Sequence, residues 1–554
     1  MRRLVRAAAL ATVPVLIAAT AACQPGKVDP IGHYKHLVVI YEENHSFDNL
    51  YGGWGQVGGQ PVDGIGAPGY ARHATQVDQH GNPYRCLLQN DANLVTTRDT
   101  VTFLNGSKHP GLLAPSCSST GAAPPAPYNS AVRNKPFNLN DYVKPADKTC
   151  PPPTASPAHG VRKGDPGGQP GGCTQDLVHR FYQEQYQLNG GRMNHYTTGS
   201  DAVGLTQGYY DTTQLPLYRY LHRAGGPHFV IADHFFQAAF GGSFLNHQFL
   251  IAGRAPTWPG AVSNGGADDL HSVLDTRGFP NTYPLYTPDR RVVDRRLTQA
   301  CHQPTTVPGL ACGNYAVNTI QPANPPQASG PQLPLIDDSK YPNIGDELSH
   351  RGLSWNWYAG GWDAAVAGHP DPLFQYHHQP FNYFADYAPG KPGRTHLKDE
   401  TSFVAAAQAG TLPAVSFVKP LGEENEHPGY ASTTTGDSHL VDLIKTITAG
   451  PQAKDTLIVV TYDEFGGQWD HVPPPGQGRP GVHDAFGPGT RIPTLVIGGS
   501  FTRNGVDSTT YDTTSILTTI EHQYLLPALG SRDAAVKDLR ATLAAGRDTR
   551  RGTS

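Results

Sequence analysis

The chain has 554 residues, room for several domains or one large core; its formal charge of -4, with no basic run, excludes the usual electrostatic footprint of a nucleic-acid partner. Only 16% of the residues are charged, while 62 are Gly and 50 are Pro, a balance that points to a loop-rich exported protein and away from a helical cytosolic one. The 25 histidines would make positive charge rise steeply below pH 7.

Residues 1–23, "MRRLVRAAALATVPVLIAATAAC", have an arginine-bearing start, an apolar centre and small residues before Cys23, the pattern of an export signal. A cysteine at that point resembles a bacterial lipoprotein cleavage site, so an acylated Cys23 would tether the chain to a membrane at the cell surface or in the periplasm. The alternative is a secreted chain with Cys23 removed. Residues 24–34 read as a linker. The first strand follows at 36–41, "HLVVIY", and leads into "EENHSFDNLYGG". Residues 54 to about 172 show little periodicity and, with Cys173 at their end, hold Cys86, Cys117 and Cys150. Together with Cys301 and Cys312 these make six, an even number that in an exported chain predicts disulfides, Cys301–Cys312 first because the two close a short loop.

A helical pattern spans 176–191 and carries His179. A strand at 228–236 precedes "FGGSFLNHQFLIAG" (240–253), which reads as a helix stopped by Gly253, with Ser243 at or near its N-cap. Residues 255–345 form a second Pro-rich insertion. Strands at 413–418, 456–463 and 493–499 then alternate with helices at 439–448 and 513–526, and the charged segment 531–554 reads as a solvated tail. Alternation of this kind predicts one α/β catalytic domain over 35–530, a central mostly parallel sheet flanked by helices, with disulfide-pinned loop insertions at 54–172 and 255–345.

In such a sheet ligands sit beyond the carboxyl ends of the strands. Two strands end in acids there: "VVIYEEN" delivers Glu43 and Asn44, and "VVTYDEFGG" delivers Asp463 and Glu464. Three carboxylates and an amide oxygen suit one hard divalent cation. An isolated acidic strand end or a lone capping serine would carry little weight. Ser243, however, follows two glycines at a helix N-terminus, where anions bind and a nucleophile for a phosphate ester belongs. His427, in the polar loop "ENEHPGY", is placed as a general acid or base. Asp470 and His471 in "QWDHVPPP" suit a positioning role.

"ENHSFDNLYG", "FGGSFLNH" and "YDEFGGQWDHVPPP" resemble the motifs of the bacterial phosphoesterase family that contains phospholipases C and respiratory-burst-inhibiting acid phosphatases. The resemblance runs from about residue 35 to 526. It implies an alkaline-phosphatase-like sandwich around one metal ion held by Glu43, Asn44, Asp463 and Glu464, with Ser243 completing the shell as nucleophile. It also implies catalytic histidines at His427, His179 and His378, with His377 and His396 competing for the last position. The Gly-Gly-Ser form is closer to the acid phosphatase branch, since the phospholipase branch usually has threonine. Departures are His45 for a more usual arginine, Asn194 for aspartate and Thr513 for histidine. The expectation is an acid phosphatase working through a phosphoserine, with a protonated His427 as acid and an acidic optimum. A phospholipase C or other phosphodiesterase on the same site is the alternative, and a non-catalytic ligand-binding surface lipoprotein is the reading of another class. No C-x-P-x-R sequence supplies a sulfatase-type formylglycine.

Overall fold

The computed structural model describes residues 34–87, 133–141, 177–200, 203–257 and 335–547, with a few short stretches between them. Its centre is an eight-stranded sheet. In chain order the strands are β1 (His36–Glu42), β2 (Phe229–Ala232), β3 (Trp355–Ala359), β4 (Leu397–Asp399), β5 (Val415–Lys419), β6 (Thr456–Tyr462), β7 (Thr494–Gly498) and β8 (Gly505–Asp507). Their spatial order is β4-β3-β5-β1-β6-β7-β2-β8. Only β7 runs against its neighbours; the other pairings are parallel. The Val- and Ile-rich runs of β1 and β6 are buried on both faces, as a covered parallel strand must be.

Helices cover both faces. These are α1 (Phe47–Leu50), α2 (Phe181–Leu188), α3 (Pro216–His222), α4 (Ser243–Ala252), α5 (Ile344–His350), α6 (Glu400–Ala409), α7 (Thr433–Ala449) and α8 (Thr514–Tyr524). Alternation along β3 shows the two layers. Trp357 meets His247 of α4 on one side, while its neighbour Tyr358 meets Phe403 of α6 on the other. Helices α5 and α8 pack with α4, and α3 and α6 with α7.

Four sequence expectations change. The strand expected over 228–236 is broken at Asp233–His234, so only Phe229–Ala232 joins the sheet and Phe235–Phe236 pairs separately with Tyr511–Asp512. His179 does not lie on a helix, because α2 starts at Phe181 behind Arg180 in extended conformation. Residues 54–87 are not a detached excursion: Trp54, Val57 and Val62 belong to the core. The tail is not solvated through its described part. Leu539 and Leu543 are core residues, and buried Arg532 pairs with Asp512 at 3.1 Å and with Asp484. Of the six cysteines Cys86 alone lies within the described residues, so the expected pairings, Cys301–Cys312 included, fall outside them, as do Cys23 and the leader.

Candidate active site and metal centre

Strands β5, β1 and β6 are adjacent and parallel, so their carboxyl ends open at one edge of the sheet. There β1 releases Glu43 and Asn44, β6 releases Asp463 and Glu464, and β5 ends in Lys419. All five are buried. The chain turns sharply behind β1, since Asn44 has φ 59°, a left-handed conformation that is unusual for a residue with a side chain. The turn behind Glu464 fits against it: Gly466 has φ 60°, and a Cβ there would run into the Asn44 carbonyl.

Ser243 is the first residue of α4, with Gly242 as N-cap. Its Oγ donates to Glu43 Oε2 at 3.5 Å, the long limit of a hydrogen bond, and the hydroxyl also bonds the Asp463 carboxylate. The glycines before it are a packing requirement. Gly241 has φ 89°, and a Cβ there would sit 2.5 Å from the Phe181 amide nitrogen. That loop is fastened by Glu184 of α2, whose carboxylate accepts from the Gly241 amide at 2.6 Å and the Thr490 amide at 2.6 Å.

The carboxylates do not share one electrostatic environment. Burial would raise Glu43, but the Lys419 ammonium at 2.5 Å and His378 at 2.8 Å hold it well below the usual carboxylate range. Burial, and then Glu43, pushes Asp463 well above its usual value; burial, and then Asp463, does the same to Glu464. Among the described residues, Asn44 Oδ1 and Asp463 Oδ2 have no hydrogen-bond partner, and Glu464 Oε1 meets His179 Nε2 at 3.4 Å without a hydrogen bond. Like-charged carboxylates brought together in this way, with lone pairs unspent, are what a divalent cation satisfies. The chemistry of these donors suits a divalent cation, although among the described residues the donor atoms drawn within 4.8 Å of one another at Glu43 belong to Glu43, His247 and His378.

His427 donates Nδ1–H to the Pro428 carbonyl at 2.8 Å, so its Nε2 offers a lone pair to the Asn44 amide at 2.9 Å. His179 Nε2 lies 3.4 Å from Glu464 Oε1. His378 Nε2 lies 2.8 Å from Glu43 Oε1, and the competing His377 packs beside it, its ring centroid 4.6 Å from that of His378 and 5.6 Å from that of His247, while His396 stacks on Trp355 with ring centroids 4.4 Å apart. Burial, against the pull of Glu43, pushes His378 down to about 4, which runs counter to a role for it as a protonated acid at mild pH. His45 is buried, with both ring nitrogens engaged: Asn49 Oδ1 lies at 2.6 Å and the Glu426 carbonyl at 3.1 Å.

Asp470 and His471 do position the loops. Buried Arg491 donates Nε to Asp470 Oδ1 at 3.0 Å and Nη2 to Asp48 Oδ1 at 3.0 Å, while His471 Nδ1 meets Asp48 Oδ2 at 2.7 Å. This ties the loop after Asn44 to the loop after Glu464. Lys419 and His247 are site residues that sequence reasoning passed over. A lysine closing the buried run "PAVSFVK" was a visible signal for the first, and the i, i+4 spacing from Ser243 for the second.

The Phosphoesterase family matches residues 153–527, more than half of the chain. Phospholipase C A of Mycobacterium tuberculosis is 27% identical over 408 residues, 67% of this chain and 64% of that protein. Phospholipase C B of the same organism is 32% identical over 162 residues, 25% of this chain and 31% of that one. Non-specific phospholipase C6 of Arabidopsis thaliana is 28% identical over 162 residues, 24% and 31% of the two chains. In each case the match spans less than two-thirds of the relative's length. A solved Vibrio parahaemolyticus structure, described as a protein in the alkaline phosphatase superfamily, covers 38% of this chain and 51% of its own at 14% identity and a TM-score of 0.20, too slight an overlap to argue from.

Proposed function

The chain belongs to the Phosphoesterase family, and from that premise we propose that it hydrolyses phosphodiesters of the phospholipase C kind through a phosphoserine at Ser243. The observation that carries this is the Ser243 hydroxyl at a helix N-terminus, 3.5 Å from Glu43 among buried carboxylates of two adjoining strand ends. The expectation of a phosphomonoesterase, drawn from the Gly-Gly-Ser form, gives way to its alternative because the relatives reported above are phospholipases C.

Glu43, Asn44, Asp463, Glu464 and Ser243 would hold one divalent ion, whose chemistry when bound is to lower the pKa of a hydroxyl and to polarise a phosphoryl oxygen. Ser243 Oγ forms the bond to phosphorus as the bond to the leaving alkoxide breaks. His427, whose Nε2 carries the lone pair, takes the Ser243 hydroxyl proton there and passes it to that alkoxide. Water then attacks phosphorus, giving a proton to His427, and the Oγ–phosphorus bond breaks as His427 returns that proton to Oγ and restores Ser243. His179, at 3.4 Å from Glu464, holds that carboxylate in place. Membrane attachment through an acylated Cys23 remains part of the proposal, since an exported phosphodiesterase at a lipid surface would meet its substrate there.

The test compares a choline phosphodiester with an aryl phosphate monoester, using the full chain and Ser243→Ala, before and after chelation. Serine-dependent, chelator-sensitive turnover that favours the diester is the expected result. A preference for the monoester returns the protein to the acid phosphatase reading, and turnover that survives Ser243→Ala overturns the mechanism.

A further inference from the structure

Lys419 is fully buried where β5 ends. Its ammonium lies 2.5 Å from Glu43 Oε1, donates to the Glu42 carbonyl at 3.1 Å and sits 5.1 Å from the centroid of the Tyr41 ring. It therefore grips three successive residues at the end of β1. On the same Glu43 oxygen, from another direction, lies His378 Nε2 at 2.8 Å. One helical turn beyond Ser243, His247 donates Nδ1–H to the Ser243 carbonyl at 2.8 Å, which leaves the lone pair on Nε2. That nitrogen is buried and has no hydrogen-bond partner among the described residues. The two imidazoles stack parallel, with centroids 5.2 Å apart and planes 7° apart. One donor atom each from Glu43, His247 and His378 falls within 4.8 Å of the others.

Two imidazoles and a carboxylate form a ligand set for a transition metal. It adjoins the oxygen-rich set already described and shares Glu43 with it. An ammonium ion stands against the shared carboxylate. Charge decides between the two cations. Glu43, Asp463 and Glu464 supply three negative charges; one divalent ion and Lys419 cancel them. A second divalent ion beside Lys419 would leave two positive charges uncompensated among fully buried side chains, where desolvation is costly.

We infer that Lys419 serves as the second cation of this centre: it keeps the Glu43–His247–His378 set from taking a metal ion and so makes the site mononuclear. This rests on the metal-binding reading given above. The ammonium holds Oε1 and leaves Oε2, the oxygen facing Ser243, for the single ion.

The test is stoichiometry, by elemental analysis and calorimetry with Zn2+ and with Mn2+. Wild type is expected to saturate at one ion per chain, Lys419→Met and Lys419→Gln at two, and Lys419→Met with His378→Ala at one again. Zinc X-ray absorption on wild type gives a check that needs no variant to fold: an oxygen shell is expected, and scattering from two imidazoles would overturn the inference. Saturation of wild type at two ions, or of either folded Lys419 variant at one, would overturn it as well. A wild type that binds no ion would take the metal reading down with it. One ion in wild type and in both variants would remove this inference alone.

Discussion

Arg491→Met isolates what holds together the two loops that carry the proposed metal ligands. The guanidinium is fully buried and makes hydrogen bonds to Asp470 at 3.0 and 3.2 Å, Asp48 at 3.0 Å, and the carbonyls of Asp63 and Asp233 at 2.7 Å each. Removing one partner of a buried ion pair costs ~3–5 kcal/mol, mostly because the other charge is left alone. Here two carboxylates and two carbonyls lose one donor, so the upper end, about 5 kcal/mol, is expected at neutral pH. Burial, against Arg491, already pushes Asp470 up to about 6. Without the arginine it rises further and takes a proton, which relieves the orphaned charge. The deficit should therefore be smaller at pH 5 than at pH 8. Urea unfolding followed by tryptophan fluorescence and circular dichroism at both values measures it, given coincident transitions. A deficit under about 1 kcal/mol, or one that does not change with pH, would refute the reasoning. Asp470→Asn added to Arg491→Met should recover part of the loss.

Asp463→Asn replaces a buried, proposed ligand and should weaken metal binding about 100-fold or more by calorimetry, with the fold kept; affinity within a factor of three of wild type would remove Asp463 from the ligand set. Metal binding by wild type should release protons at pH 6, because Asp463 and Glu464 are held above the usual range in the metal-free chain. Titrations in buffers of different ionisation heat read that release, and none would contradict the assignment. Glu42, facing the opposite layer from Glu43, is pushed by burial up to about 8. A group whose folded pKa exceeds its unfolded value stabilises the fold below the unfolded pKa, and that contribution is lost as pH rises through the folded one. The melting temperature of the metal-free protein should then fall from pH 5 to pH 8.5, and Glu42→Gln should flatten the decline; an unchanged slope in the variant would sink the attribution.

How much of this was legible varies with the physical signal. Strands β1, β5, β6 and β7 are continuous Val- and Ile-rich runs buried on both faces, and a run of that kind reads directly as a covered parallel strand. Strand β3, "WNWYA", has no such run, because its stability comes from aromatic packing such as Trp357 on Phe417. Strands β4 and β8 are too short to show a period. The carboxylates were legible because they follow strand ends. Lys419 was harder to read, since a lysine normally signals a solvated boundary and here its charge is spent inside on Glu43. The same misreading made the segment from 531 onward look exposed, although Arg532 neutralises Asp484 and Asp512 under the surface. His179 was assigned to a helix because the apolar spacing continues upstream of Phe181, while the backbone at Arg180 is extended.

The register between β1 and β6 pairs Glu42 with Tyr462, which brings Glu43 level with Asp463. A slip of one residue in either strand would turn every side chain to the other layer, and a slip of two would move one acid about 7 Å past the other. The gap between the two carboxylates is thus quantised by the hydrogen-bond ladder. Such a centre cannot be tuned for a larger or smaller ion by easing the backbone a few tenths of an ångström. Its adjustable dimension is side-chain length, one methylene at a time, so Asp-for-Glu exchanges at these two positions are the natural alphabet for retuning the centre, by selection or by design.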